Sequence, residues 1–533
     1  MRSEQPVHAT RHAMRVMFGL VVLAAGGCDV RAQTPDTVRF EQLPVPDHQY
    51  LGGWHHFVGG GVAAFDCDGD DLPELVVAGG DAPAKLLRNR TPAAGDTLRF
   101  AVDTPDTVAR TGVTGVYPVD IDSDGHQDLV LLRVGPDTLL RGRGDCAFDE
   151  APAAWGFQSP DLWSTAFSAT FEAGAQLPTF AIGTYVDRHH PDGPFGQCSE
   201  TLLYRPEGER YAAPRSLAPG HCALSMLFTD WSRSGRADLR VSNDRHYYVR
   251  DGREQMWAME PEPRLYRAEE GWRDYALWGM GIASRDLNQD GYNDVMLTSI
   301  GDQKLQFHEP GAAGPVYRNA PFEFGASAHR PYTGGDGRPS TGWHAAFGDV
   351  QNDGLDDLFI AKGNVDQMPD AALKDPNNLL LQREDGRFVE VGAEAGVAST
   401  ERGRGAAVVD LNRDGLLDIV VNNRRAPLEL YQNRSATRHW LRLNVSQPGR
   451  NPEALGAYVE VRGGTRQWSR EITRGGGHAG GDAVPMHLGL GDAESVEVRV
   501  VWPDQSVSTW HRVDANQSLR VVRDGPGLRI EPY

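Results

Sequence analysis

Basic residues are in short supply in this 533-residue chain: 53 Lys and Arg stand against 73 Asp and Glu, a net charge of −20. A nucleic-acid partner requires a basic stripe to neutralise phosphates, so the balance argues against that class. It disfavours an anionic membrane surface on the same ground. Long helical periodicity is nearly absent beyond the N-terminus, which argues against a helical bundle. No nucleophile elbow, HExxH helix or phosphate-cradling loop occurs, so the common signatures of hydrolases, zinc peptidases and nucleotide-binding enzymes are missing. Cysteine is scarce, with five residues in all.

Glycine and proline are plentiful, at 61 and 34, as expected for many short strands joined by turns. The chain opens on an export signal. Arg11 and Arg15 precede an apolar run from Val16 to Ala25 that is too short to span a bilayer. Two cleavage readings stay open. Ala25-Gly26-Gly27-Cys28 has the form of a lipobox, with Cys28 as a lipid anchor, although Ala25 replaces the usual large aliphatic residue. Val30-Arg31-Ala32 before Gln33 fits an ordinary signal peptidase. Either route takes the protein out of the cytoplasm, to the periplasm, the outer surface or the medium. Four cysteines then remain, Cys67, Cys146, Cys198 and Cys222, an even number that suits an oxidising compartment. Three pairings are possible. Cys198 with Cys222 is favoured, because the two are close in sequence and flank one expected hairpin, which leaves Cys67 with Cys146. Buried free thiols are the alternative.

The dominant signal is a repeated acidic loop. Asp410-Leu-Asn412-Arg-Asp414-Gly415-Leu-Leu-Asp418 carries side-chain oxygens at positions 1, 3, 5 and 9 and runs into Ile-Val-Val. The same form appears at Asp66-Cys-Asp68-Gly-Asp70-Asp-Leu-Pro-Glu74 and at Asp120-Ile-Asp122-Ser-Asp124-Gly-His-Gln-Asp128. It recurs at Asp286-Leu-Asn288-Gln-Asp290-Gly-Tyr-Asn-Asp294 and at Asp349-Val-Gln351-Asn-Asp353-Gly-Leu-Asp-Asp357. Such a loop repels itself unless a cation sits inside it. Calcium suits it, being a hard ion that takes carboxylate, amide and carbonyl oxygens. Position 7 adds a main-chain carbonyl, from Leu72, His126, Tyr292, Leu355 and Leu416. Ligation at position 9 sets the pattern apart from an EF-hand, whose bidentate Glu falls at 12. The ions are read as static staples rather than as sensors. A fourth copy, Asp230-Trp-Ser232-Arg-Ser234-Gly-Arg-Ala-Asp238, exchanges two carboxylates for hydroxyls. A worn copy at Phe171-Glu172 keeps only its Leu-Pro and the strand behind it.

The loops start at 66, 120, 172, 230, 286, 349 and 410, so successive copies lie 52 to 63 residues apart. Each unit carries about four strand-like runs, as in Lys85-Leu-Leu-Arg-Asn or Asn378-Leu-Leu-Leu-Gln, and four antiparallel strands repeated in this way make a propeller blade. The reading is an all-β fold: a seven-bladed propeller over 33–433, followed by a small β-domain over 434–533, with 1–32 as the signal peptide. The second domain has no acidic loop. It alternates as half-buried strands, separated by Gly475-Gly-Gly-His-Ala-Gly-Gly and Leu488-Gly-Leu-Gly.

These features resemble a known family. The loops resemble FG-GAP/VCBS repeats, the calcium-binding blades of integrin-type propellers. The C-terminal part is similar to an ASPIC/UnbV domain through His439-Trp-Leu-Arg-Leu, Leu455-Gly-Ala-Tyr-Val-Glu-Val, Arg470-Glu, His487-Leu-Gly-Leu-Gly, Val501-Trp-Pro-Asp and Asn516-Gln. The combination resembles the cartilage acidic protein family in its bacterial branch, with Thr341-Gly-Trp-His-Ala-Ala-Phe-Gly-Asp as a further mark. It departs from the pattern at Ala479-Gly480 and in the third and fourth loops. The resemblance implies a secreted or surface calcium-binding scaffold and no particular reaction.

Other candidates weigh less. Arg143-Gly144-Asp145 spells an integrin-recognition tripeptide, a match short enough to arise by chance. The adjacent pairs His55-His56 and His189-His190 are poorly placed for joint metal ligation within a strand. Trp54, Trp163, Trp231, Trp257, Trp272 and Trp343 are expected to wedge between blades rather than to stack on sugars. The resulting function is a non-catalytic scaffold for adhesion or for binding an extracellular protein or glycan. A carbohydrate-active or other extracellular hydrolase on the same propeller is the alternative. A pocket at the propeller axis holding free carboxylates would favour the enzyme, and a plugged axis the binder.

Overall fold

Each acidic loop turns one strand back onto the next, so each repeat becomes a four-stranded antiparallel sheet. A computed structural model describes residues 38–191, 197–244, 252–332 and 336–533, and 36–533 form one compact unit. The expected export signal, Cys28 and both cleavage points fall outside the described residues. Blade 1 comprises Val62–Phe65, Glu74–Val77, Lys85–Asn89 and Phe100–Val102. Blades 2 to 6 follow the same order, with inner strands Val113–Val119, Leu162–Thr170, Ala223–Thr229, Gly279–Arg285 and Gly342–Gly348. Blades 2 and 3 are additionally joined through the pairs Leu162↔Gly135 and Trp163↔Val134.

The seventh sheet has only three strands from its own repeat, Gly403–Val409, Asp418–Asn423 and Glu429–Asn433. Its fourth is Phe40–Leu43 from the N-terminal lead-in, paired Phe40↔Asn433 through Leu43↔Leu430. The inner strands neighbour one another around a closed circuit that returns from Gly403–Val409 to Val62–Phe65. Closure through this terminal strand leaves no long inner edge exposed.

The period-2 alternation of a strand sends its residues to two different neighbours. In blade 1, Val62 and Ala64 pack with Ala407, Val409 and Val420 of blade 7, whereas Ala63 and Phe65 pack with Val116 and Leu131 of blade 2. The inner strands are therefore largely buried on both faces and do not alternate in sequence. Trp163 and Trp343 are fully buried, and Trp231, Trp257 and Trp272 are buried between blades. Trp54 is 38% exposed and lies against His55 and the edge of Trp163. Both disulfides form, Cys67–Cys146 between blades 1 and 2 and Cys198–Cys222 between blades 3 and 4.

The C-terminal part is a sandwich of two four-stranded sheets around Leu441, Leu443, Val459, Val461, Trp468, Val498, Trp502 and Val521. One sheet contains a parallel pair, His439–Ser446 beside Gln517–Asp524. Between strands Arg466–Glu471 and Met486–Gly491 the chain leaves the sandwich and runs through the propeller axis. Along 474–483 it bonds successive inner strands. Ala169 and Val116 donate to Arg474 O and Ala479 O (3.0 Å each), Gly476 and Gly477 donate to Met226 O and Ile282 O, and Ala483 donates to Ala64 O. The glycines are there because no side chain fits. A Cβ on Gly61 would stand 1.7 Å from Ala479 O, and one on Gly480 would stand 2.1 Å from Val62 O. His478 occupies the middle of this plug. Its N–H donates to His344 Nδ1 (3.0 Å), its Nδ1 meets Met280 O (3.0 Å), and its Nε2 accepts from Gly59 N–H (3.2 Å). Burial lowers its pKa to about 3, so the ring is neutral.

Gly61→Ala should therefore lower stability by about 1–3 kcal/mol through overpacking of the axis. Thermal melting of the variant against wild type measures this, and an unchanged melt would contradict the seating of the plug.

Candidate metal centres

The six loops that keep an Asp at position 1 share one backbone path. Position 4 is left-handed in each: Gly69, Ser123, Arg233, Gln289, Asn352 and Arg413. Position 6 is also left-handed, as Asp71, Gly125, Gly235, Gly291, Gly354 and Gly415. This double reversal curls the loop so that its amide hydrogens point at the first carboxylate. Asp120, Asp286, Asp349 and Asp410 each accept the N–H groups of positions 5 and 6, at 2.7–3.2 Å. Asp66 accepts from Gly69 and Asp71 instead (2.7 and 3.0 Å). Position 5 accepts the N–H of position 7, as in Asp70 from Leu72, Asp124 from His126, Asp290 from Tyr292, Asp353 from Leu355 and Asp414 from Leu416.

Position 9 begins the next strand, and its carboxylate ties the loop to the sheet. One oxygen of Glu74, Asp128, Asp294, Asp357 and Asp418 accepts the N–H of position 2 at 2.8–3.1 Å. The other oxygen accepts an N–H from the third strand: Asn89, Gly142, His308, Gln382 or Asn433. Each oxygen keeps a second lone pair for a ligand.

Carboxylate oxygens of Asp66, Asp68 and Asp70 come within 4.8 Å of one another, as do those of Asp120, Asp122 and Asp128. At position 3 of the later loops, Asn288 and Asn412 donate to Asp290 and Asp414 (3.0 Å each), and Gln351 donates to Asp353. The donor set is oxygen throughout, which fits a hard cation such as calcium and not a thiophilic metal. Cys67, Glu74 and Cys146 also converge, but the two cysteines are joined in a disulfide.

Burial raises the carboxyl pKa values: to about 8 for Glu74, Asp128 and Asp294, about 7 for Asp120 and Asp286, and about 6 for Asp410. Asp349, Asp357 and Asp418 are raised well above the usual carboxylate range by burial and by neighbouring carboxylates. A bound cation would reverse this by stabilising the ionised forms.

Guanidinium groups on the third strands were not anticipated from the loop pattern. Arg141 reaches Asp122 (2.7 Å) and Asp124 (2.9 Å), and Arg88 lies 3.7 Å from Asp68. Arg88 and Arg141 occupy equivalent places in Leu-Leu-Arg runs, a signal that was present in the sequence. Arg88 also holds Asp145 (3.0 Å) and Asp149 holds Arg143 (2.7 Å), so both charges of the Arg-Gly-Asp tripeptide are paired within the protein.

The two altered loops use other chemistry. In blade 4, Asp238 accepts from Trp231 Nε1 (2.8 Å), Tyr266 Oη (2.7 Å) and Met259 N (2.8 Å). In blade 3, Glu172 pairs with Arg205 (2.8 Å) and accepts from Thr179 (3.0 Å). A cleft of about 660 Å³ opens beside loops 1 and 2 at their border with the sandwich, lined by Asp66, Asp120, Glu453, Glu471 and Asp482 among others. Its carboxylates have partners: Glu453 accepts from Asp120 N (3.2 Å) and Gln127 (2.9 Å), Glu471 from Thr229 and Asp230 N (2.6 Å each), and Asp482 from Ala64 N (2.9 Å).

The comparisons with known proteins agree with this architecture. FG-GAP-like repeats match at residues 66–131 and 363–421, and the ASPIC and UnbV domain matches at 447–526. Cartilage acidic protein 1 of Mus musculus is 33% identical over 534 aligned positions, covering 93% of this chain and 77% of the relative. The chain belongs to the cartilage acidic protein family. The human relative aligns at 37% over 101 residues, 19% of this chain and 13% of its own length. The chain thus spans far less than two thirds of that protein in the matched segment. Among solved structures, BBS1N in complex with ARL6DN aligns over 75% of this chain and 99% of its own, with TM-score 0.45 and 11% identity. Membership of the cartilage acidic protein family and two disulfides indicate an extracellular or secreted protein.

Three outcomes follow from the loop chemistry. Asp418→Ala orphans the buried amides of Leu411 and Asn433 and should cost about 2–4 kcal/mol even in chelator. Asp414→Ala should cost more with calcium than in chelator; equal costs in melts under both conditions would mean loop 7 takes no ion. Because the folded carboxyls titrate at about 6–8 and unfolded ones near 4, the folded state binds more protons in this window. In chelator, stability should therefore fall as pH rises from 5 to 8. Saturating calcium should flatten that slope, which melts across the pH series would read.

Proposed function

We propose that the protein is an extracellular calcium-binding propeller scaffold that presents its surface to a protein or glycan partner and carries no catalytic site of its own. The observation that carries this reading is the repetition of one oxygen-lined loop geometry in five blades, at 66–74, 120–128, 286–294, 349–357 and 410–418. Position 7 is free to add its carbonyl in each. The plugged axis supports a binder over a hydrolase, since an enzyme of the paired-carboxylate type needs two unengaged acids facing a cleft. The acids named around the 660 Å³ cleft are engaged with main-chain and side-chain donors.

Calcium in these loops would act chiefly by holding each loop closed. A ligand present at a hundred times its dissociation constant adds about 2.7 kcal/mol per independent site. Transfer from calcium to chelator should lower the melting temperature by many degrees, and an unchanged melt would remove the calcium reading. A glycan array and a capture experiment with extracellular proteins, each run with and without calcium, test the scaffold role. Turnover of a glycan on the array, lost in no loop variant, would favour the hydrolase instead.

A further inference from the structure

The sequence motifs that mark the C-terminal domain meet the acidic loops of the propeller. Trp440, from His439-Trp-Leu-Arg-Leu, lies directly on loop 7: a Cβ at Gly415 would stand 2.2 Å from its indole. Arg442 of the same strand has Nε 3.6 Å from Asp410 Oδ2, and both side chains are buried. The His487-Leu-Gly-Leu-Gly strand engages loop 6. His487 Nε2 meets Asn352 Oδ1 at 2.8 Å, and Gly491 N–H donates to Asn352 O at 2.9 Å. Gly489 lies between them, and a Cβ there would stand 1.8 Å from Asp349 Oδ2. Only a glycine lets this strand rest on that carboxylate. Trp468 Nε1–H donates to Gly354 O (3.0 Å), and Arg470 reaches Asp356 (2.6 Å).

Three of these contacts, with Gly415, Asn352 O and Gly354 O, read main-chain atoms or glycines at positions 4 to 6 of the loop, which are in place only while the loop is curled. Arg442 and Gly489 bring the sandwich against position 1 of the two loops. Without a cation, the clustered carboxylates of a loop repel one another and oppose that curl. Loop 2 also meets the sandwich, where Glu453 accepts from Asp120 N (3.2 Å) and Arg450 donates to Asp122 O (2.9 Å), but like loop 1 it borders the open cleft.

We propose that loops 6 and 7 are composite cation sites, each walled on its outer side by the C-terminal sandwich, so that cation binding there and seating of the sandwich with its axial plug form one coupled equilibrium. This rests on the calcium reading above. Coupling is reciprocal: whatever the seated sandwich adds to calcium affinity, calcium adds to seating. Trp440, Trp468, His487 and Gly489 are then positioning residues for sites to which they contribute no ligand atom. Release of the sandwich would also withdraw 474–483 and open the axis.

The test uses the full chain with calcium chloride or chelator, following hydrogen exchange by mass spectrometry and calcium binding by calorimetry. Chelation should speed exchange at 474–483 and Met486–Gly491 at least tenfold. Asp414→Asn should reproduce part of that effect in the presence of calcium. Conversely Gly489→Ala, which alters no loop residue, should weaken calcium binding about tenfold, within the usual range of coupling. His487→Ala, a milder change, should weaken it by a smaller factor should Gly489→Ala fail to fold. Calcium uptake by the wild type with no change in exchange at the plug would overturn the coupling and leave the calcium reading intact. So would unaltered calcium isotherms in the sandwich variants. Absence of any calcium uptake would overturn the calcium reading itself.

Discussion

Buried carboxylates beside one another are the constraint on which this structure turns. Four of the five loops bury both their first and their last acid where an inner strand reverses, and loop 1 buries Glu74; such charge is costly unless it is paired and hydrogen-bonded. The loop supplies part of the compensation from its own backbone. Asp410 takes the amides of Asp414 and Gly415, while Asp418 takes those of Leu411 and Asn433. The first carboxylate thus curls the loop and the last fastens it to the sheet. These hydrogen bonds come from the chain itself and favour the curl, and the repulsion left among the carboxylates, which opposes it, is what a bound cation would relieve.

What could be read from the chain follows from how local each interaction is. The oxygens at positions 1, 3, 5 and 9 are local chemistry, and so were legible, as were the four-strand repeat and the Cys198–Cys222 pair. Position 4 was not, because Ser123, Gln289, Asn352 and Arg413 adopt its left-handed conformation with no common residue type. The strand Phe40–Leu43 gave no signal either: it stands alone in the lead-in, and its role is fixed by Glu429–Asn433, almost four hundred residues away. The run Gly475-Gly-Gly-His-Ala-Gly-Gly read as a link between strands. Its glycines instead answer to Val62 O and the His344 ring, partners that no periodicity announces.

That plug resolves a problem inherent in the ring. Seven inner strands around an axis leave a channel lined by main chain and small side chains, and an empty channel forfeits dispersion contacts. A segment threaded through it must satisfy its own amides on the surrounding strands and must lack bulk. The run 474–483 does both, with hydrogen bonds to Ala64, Val116, Ala169, Met226 and Ile282. His478 adds a ring held neutral by burial.

Blades 3 and 4 show what the loops can do without a cluster of acids. In blade 4, Ser232 and Ser234 replace two carboxylates, yet Asp230 still accepts the amides of Ser234 and Gly235, and Asp238 is satisfied by Trp231, Tyr266 and Met259. In blade 3 an Arg205–Glu172 pair serves beside Thr179. Both blades keep the inner strand and its antiparallel return. Neutral donors and one ion pair are therefore sufficient to form the turn. Retaining Asp66, Asp68 and Asp70 together, or Asp410 with Asp414 and Asp418, costs stability for which the bare fold offers no return. A divalent cation would convert that repulsion into attraction, and this contrast among blades of one ring supports the proposal of calcium in the other five.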